Sequence, residues 1–319
     1  MQQRILQPGE IEALDRTAFP RIRLPQPASL FLDRAARLRH LAEGSPIADF
    51  LRYVARLMDA QHQVFKGLPA ASQPTEAVYE RAQTHAMPLW QVSNEHGAEL
   101  RHCLQALLDV IGPSPENTDF QREQMAELQA MDERTLMQLV DAVLMGAPLN
   151  ESRRVKAPFV MAALQVVMTA KAAVLDVNKL PYVDPVTVCP VCSSHPVASI
   201  IRIDGQSAGL RYLHCGICAT EWHMVRVKCS NCASTKGISY RRLTEAEQTE
   251  ADAEAAVACM AELCDNCGSY RKLFDLQKDH SIEVLSDDLA TLALDILMGQ
   301  EDHARAGLNP FLIMNADEA

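Results

Sequence analysis

The chain has 319 residues and a formal net charge of −11, with 48% hydrophobic and 22% charged side chains. That length carries two domains and a substantial core, and the acidic balance excludes bulk attraction to nucleic acid or to an anionic membrane face. No run approaches the roughly 18 apolar residues that span a bilayer, and the opening MQQRILQPGEIEALDR lacks the apolar core of a secretory signal, so a cytosolic setting is expected.

Residues 29 to about 66 place Leu30, Ala35, Leu38 and Leu41, then Ile47, Phe50, Leu51, Val54, Leu57 and Met58, at three- and four-residue spacings. This predicts two helices, the first ended by Gly44 and the second begun at Ser45-Pro46. NEHGAELRHCLQALLDVI (94–111) repeats the period, with Asn94 as its N-cap, and GPSPEN (112–117) is a turn cluster. Residues 119–145 hold one or two helices. KAPFVMAALQVVMTAKAAVLD (156–176) is another, with Pro158 near its first turn. Residues 20–180 therefore read as a bundle of six to eight helices.

PYVDPVTV (181–188) ends the helical region. Beyond it VASIIRI (197–203), LRYLH (210–214), TEWHMVRV (220–227), ISYRRL (238–243) and YRKLFDL (270–276) read as short strands. The acidic, Ala-rich 244–263, opening on a capping-box-like Thr244-x-x-Glu247, reads as a helix or a solvated excursion. DDLATLALDILMGQEDHARAG (287–307) reads as an amphipathic helix with Leu289, Leu292, Ala293, Ile296 and Leu297 on one face, packing the two halves together.

Eight of the 10 cysteines form four C-x-x-C pairs within 79 residues: Cys189/Cys192, Cys215/Cys218, Cys229/Cys232 and Cys264/Cys267. In a reducing compartment such pairs are metal ligands before they are disulfides. A C-x-x-C turn aims two thiolates at one ion, and two such knuckles close a tetrahedral four-cysteine site. Sequential pairing gives Cys189, Cys192, Cys215 and Cys218, with 22 residues between knuckles, then Cys229, Cys232, Cys264 and Cys267, with 31. Crosswise pairing of the knuckles is the alternative. Four thiolates accept zinc or a single rubredoxin-type iron, and spacing does not choose between them. Ser193 and Gly268 follow their knuckles as small residues suited to a tight turn. A thioredoxin-like role fits poorly, because the pairs come in fours among short strands.

His214 and His223 flank the second knuckle and are expected to be ordinary strand residues, since eight cysteines already fill two sites. Trp222 is expected to pack over the small metal domain, and Cys103 and Cys259 to be non-ligands. Residues 202–242 hold Arg202, Arg211, Arg226, Lys228, Lys236, Arg241 and Arg242 against Asp204 and Glu221, a local balance of +5. That stretch suits a solvated ribbon face or a docking face for an acidic partner better than nucleic acid. No nucleophile elbow, phosphate-binding loop, dinucleotide fingerprint or H-E-x-x-H occurs, so the chain is not expected to be an enzyme.

GLRYLHCGICATEWHMVRVKCSNC (209–232), CPVCSSHPVAS (189–199), CDNCGSY (264–270), FPRIRLP with FLDRAARLRHLAEGSPIADFLRYVA, KAPF (156–159), DDLATLALD (287–295) and NPF (309–311) resemble the formate dehydrogenase accessory protein FdhE family over most of the chain, less so in 67–93 and 244–263. The resemblance implies a cytoplasmic maturation factor that binds the catalytic subunit of respiratory formate dehydrogenase before export. It also implies iron in rubredoxin-like sites formed by the same eight cysteines.

The expected architecture is α+β and multidomain: a mainly α domain (1–183), a first four-cysteine rubredoxin-like ribbon (184–228), a second (229–280), and a C-terminal helix and tail (281–319) packing on the others. Two metal ions per chain are expected, one in each four-cysteine site. The rival functions are a rubredoxin-like redox protein passing electrons to a partner, and a nucleic-acid-binding zinc ribbon.

Overall fold

The computed structural model describes residues 19–92, 96–183, 186–243 and 257–313. The first half is helical: α1 (Pro27–Leu41), α2 (Ala48–Gly67), α3 (Glu76–Thr84), α4 (Gly97–Ile111), α5 (Asp119–Ala130), α6 (Glu133–Leu144) and α7 (Glu151–Ala173). The break between α1 and α2 falls where the sequence places it, at Gly44, whose φ of +73° suits a residue without a Cβ. The short α3 breaks the unassigned stretch after α2. α4 begins at Gly97 with His96 in the cap position; Asn94 lies outside the described residues.

α7 starts earlier than its apolar spacing suggests. Asn150 accepts a hydrogen bond from the Arg153 N–H at 3.0 Å and caps the helix, so Pro158 lies inside it rather than in the first turn. Proline there removes one N–H from the ladder, and burial around the whole circumference, from Phe159 to Met168, offsets the loss. α2, α4, α5 and α6 all pack on α7. Its length and apolarity alone would let it cross a membrane, contrary to the expectation that no segment comes close. Most of that apolar surface, however, lies inside the helical core.

The second half forms one mixed sheet with a short N-terminal strand, β1 (Ile22–Arg23); the other strands are β2 (Pro196–Ile201), β3 (Arg211–Cys215), β4 (Glu221–His223), β5 (Ile238–Arg241), β6 (Cys259–Cys264), β7 (Ser269–Asp275) and β8 (Ala304–Arg305), and β1 pairs with β4. The strand order is β1-β4-β3-β2-β7-β6-β5, with β8 also on β7. Two antiparallel halves, one per pair of knuckles, meet at a parallel seam in which Ser199, Ile200 and Ile201 of β2 oppose Leu273, Phe274 and Asp275 of β7. The strand expected over 220–227 stops at His223, and the seam couples the halves. Residues 259–263, expected in a helix or excursion, are β6, paired on one side with β5 and on the other with β7. Tertiary pairing there overrides Ala-rich local propensity. Residues 244–256, including Thr244 and Glu247, lie outside the described residues.

The C-terminal helix is split into α8 (Val284–Ala290) and α9 (Leu292–Met298). Thr291 Oγ1 donates to the Asp287 carbonyl at 2.8 Å, and the buried Lys272 ammonium donates to the Asp288 carbonyl at 2.9 Å. The Asp287 carbonyl still accepts from the Thr291 N–H at 3.1 Å, but the Asp288 carbonyl is drawn to Lys272 where a continuous ladder would use it. The inward face changes as a result: Leu289, Leu294 and Met298 are buried, whereas Ile296 is 66% exposed. α8 packs on both α1 and β2 and so joins bundle to sheet.

One hydrophobic core runs from the helices through the first pair of knuckles, taking in Val191, Val197, Leu213, Ile217, Trp222 and Phe311. A separate small cluster of Ala261, Leu263, Tyr270, Leu294 and Met298 sits under the second pair.

Candidate metal centres

Each knuckle caps a hairpin in the same way. The N–H groups of Cys189, Cys215 and Cys229 donate to the carbonyls of Ser194, Thr220 and Ser234 at 2.9, 3.0 and 2.7 Å. The chain turns back through a left-handed residue directly after the second cysteine of all four knuckles: Ser193, Ala219, Ala233 and Gly268, with φ between 56° and 61°. Ser193 and Gly268 stand out as turn residues in the sequence; the two alanines do not, because alanine rarely adopts this conformation.

The turns bring the thiols together in the sequential grouping. Cys189, Cys192, Cys215 and Cys218 form one cluster, and Cys229, Cys232, Cys264 and Cys267 the other, with all four sulfurs of each within 4.8 Å of one another. Cys189 and Cys218 Sγ are 3.5 Å apart and Cys192 and Cys215 Sγ 3.4 Å; in the second cluster the Cys229–Cys267 and Cys232–Cys264 separations are both 3.8 Å. A disulfide would need about 2.05 Å. A tetrahedron with metal–sulfur arms of about 2.3 Å has edges of about 3.8 Å, so the donor set and spacing fit a single tetrahedral ion in each cluster. Backbone N–H groups already point at the sulfurs: those of Ile217 and Cys218 at Cys215, and those of Asn231 and Cys232 at Cys229, at 3.3–3.5 Å. Such donors favour thiolate over thiol.

Cys103 and Cys259 stand outside both clusters, and burial pushes their thiols up to about 12. Trp222 belongs to the main core, its indole N–H donating to the Val186 carbonyl at 2.8 Å. His223 packs its ring 4.5 Å from that of Phe19. His214 is more than an ordinary strand residue. Its Nδ1 lies 3.0 Å from Glu221 Oε1 and its Nε2 3.5 Å from an Arg34 nitrogen, and Arg34 pairs with Glu283 at 2.9 Å. Burial alone would push the Glu221 carboxyl up, but the His214 hydrogen bond and the Arg202 charge hold it down at about 2. This buried chain ties α1 and the start of α8 to β3 and β4.

The basic stretch is partly consumed inside. Arg211 is buried, paired with Glu262 at 2.8 Å and hydrogen-bonded to Ser199 and the Lys228 carbonyl. Arg202 pairs with Glu221, and Arg241 with Glu301 at 3.3 Å. The Arg211–Glu262 pair joins β3 of one half to β6 of the other. The fully buried Arg271 joins them again, donating to Ser230 Oγ inside the third knuckle at 2.7 Å and to the Pro196 carbonyl at the start of β2. Spacing offered no signal for these cross-links, since their partners are 41 to 75 residues apart.

Three family profiles match nearly the whole chain end to end: FdhE, N-terminal, over 19–184; FdhE, central domain, over 188–226; and FdhE, C-terminal domain, over 227–312. Among curated proteins, a Protein FdhE homolog of Cronobacter sakazakii is 36% identical over all of both chains, and Protein FdhE of Escherichia coli O9:H4 is 35% identical over 97% of this chain and 96% of its own. Among solved structures, the crystal structure of the FdhE protein from Pseudomonas aeruginosa superposes with a TM-score of 0.78 at 32% identity, covering 93% of this chain and 100% of that one.

Proposed function

The chain belongs to the FdhE family of formate dehydrogenase accessory proteins, and from that footing we propose that it is a cytoplasmic assembly factor that binds the catalytic subunit of respiratory formate dehydrogenase before export, with the eight knuckle cysteines holding two metal ions. The observation that carries the metal reading is the pair of four-sulfur clusters at tetrahedral spacing. Four thiolates leave no open coordination position, so a bound zinc ion organises structure, whereas a bound iron ion adds one-electron chemistry. The residues do the rest. The knuckle N–H groups stabilise the thiolates, and Arg211 and Arg271 lock the halves of the sheet in fixed relation.

The test is capture of the catalytic subunit from a native lysate by the tagged chain, together with deletion of the gene. Recovery of the subunit and loss of formate oxidation support the reading; no complex and intact formate oxidation sink it. A redox role is the second reading, favoured by the exposure of Cys232 on the rim of the second cluster. A reddish protein with a reversible one-electron wave supports that role, and a colourless protein with two zinc ions per chain removes it.

A further inference from the structure

The two clusters are built alike but set differently. In the first, all four cysteines are fully buried. The residues between them, Pro190 and Val191 in one knuckle and Gly216 and Ile217 in the other, are gripped by the helical half. The Leu89 and Trp90 N–H groups donate to the Pro190 and Val191 carbonyls, both at 3.0 Å. Gln165 of α7 donates to the Gly216 carbonyl at 2.6 Å. A Cβ on Gly216 would press on Pro310 and Val197 at 3.2 and 3.3 Å.

In the second cluster the corresponding residues are Ser230 and Asn231, then Asp265 and Asn266. Cys232 is exposed and Cys267 half-buried, while Cys229 and Cys264 face inward. Small polar side chains lie over the outward sulfurs: Asn266 Nδ2 is 3.6 Å from Cys232, and Asn231 Nδ2 and Ser269 Oγ are 3.8 and 3.0 Å from Cys267. This cluster rests on the small separate apolar group, next to β5, the last strand in the sheet order.

We infer that the two centres are unequal: the first is a sealed, permanent centre, and the second is an exchange site, open through Cys232 and Cys267 to a thiophilic metal ion and to a competing chelating ligand. This rests on the reading that both clusters hold metal. A competing ligand must reach the ion and displace a thiolate. At the second centre the outward sulfurs present themselves directly, and an opening confined to the outer knuckles suffices. At the first, every approach passes through the main core, so release requires opening the helical half. The exchange replaces one metal–sulfur bond by one metal–ligand bond, the freed Cys232 thiolate takes a proton from water, and no electron is transferred.

The experiment loads the full-length chain with zinc under reducing conditions, challenges it with excess EDTA, and follows release with mass-mapped iodoacetamide labelling and helical circular dichroism. One equivalent should leave at least about a hundredfold faster than the other, as local opening precedes opening of the main core. The first labels should fall on Cys229, Cys232, Cys264 and Cys267 while the helical signal is intact. Cys232→Ser should abolish the fast equivalent and keep the slow one. Two zinc ions leaving at one rate, or first labels on Cys189, Cys192, Cys215 or Cys218, overturn this inference alone. Fewer than two zinc ions per chain overturns the metal reading and this inference with it.

Discussion

The side-chain amide of Gln165, in the middle of the most buried helix, donates to the carbonyl of Gly216, between the two cysteines of a knuckle, at 2.6 Å. The same glutamine accepts from Gln61 Nε2 at 2.9 Å. One residue thus joins α2, α7 and the first cluster in a dry environment, where an unpaired polar group is costly.

Gln165→Leu keeps the volume but leaves the Gly216 carbonyl and the Gln61 amide without this partner. It should cost on the order of 3 kcal/mol, read as a lower urea midpoint. It should also speed metal release from the first cluster. An unchanged midpoint would show that the bond is replaced without loss.

Glu221 gives the chain a defined acid sensitivity. Its carboxyl is held at about 2 against an ordinary 4.5. A group depressed on folding contributes stability that is complete above its unfolded value and disappears as pH falls through the folded one. The contribution, roughly 3 kcal/mol at neutral pH, should therefore fade between about pH 4.5 and 2. Metal loss in acid affects both proteins, so the comparison is wild type against Glu221→Gln. The variant should be weaker at neutral pH, and the difference should shrink as pH falls through that window.

Asp288 is fully buried; both its oxygens lie 2.6 Å from Arg305 Nη2, and it also receives the Asn309 amide at 2.9 Å and the Lys272 ammonium at 3.3 Å. Asp288→Ala leaves these donors buried around an empty site, although Asp295 still pairs with both cations. The cost should be about 3–5 kcal/mol, seen as a drop in melting temperature.

Gly307 has φ +84°, and a Cβ there would collide with the Pro196 carbonyl and an Arg271 nitrogen. Gly307→Ala should destabilise by roughly 2–4 kcal/mol through strain and overpacking. Because the tail from Leu308 to Phe311 is held beside the first cluster by this close approach, limited proteolysis should cut the variant there before the wild type.

Ala233 holds a φ of 59° directly after Cys232, where the fourth knuckle has Gly268. Ala233→Gly should relieve about 1 kcal/mol of left-handed strain. The gain should appear as slower EDTA release from the second cluster.

The distribution of fold information along the chain follows from the range of the forces involved. Helical periodicity located α1, α2 and α4, because amphipathic spacing is a local property. It misplaced the start of α7 because its first turns, Glu151 to Val155, are polar or half-buried and only the Asn150 cap marks them. It joined α8 to α9 because the Asp288 carbonyl is drawn off by Lys272 on β7, a partner outside the helical stretch. The residues between the cysteines carried a further signal: Pro190-Val191 and Gly216-Ile217 are apolar, and Ser230-Asn231 and Asp265-Asn266 are polar. That contrast already separates a buried cluster from an open one.

The sequence by itself determined the eight clustered cysteines, the α-then-β order and the resemblance to the FdhE family, since a C-x-x-C turn and an amphipathic stripe are set by neighbours a few residues apart. Only the tertiary structure decided the parallel seam of β2 on β7 and the Arg211 and Arg271 cross-links. Those depend on partners tens of residues away, brought together by burial and by the pairing of charges that cannot remain alone in a dry interior.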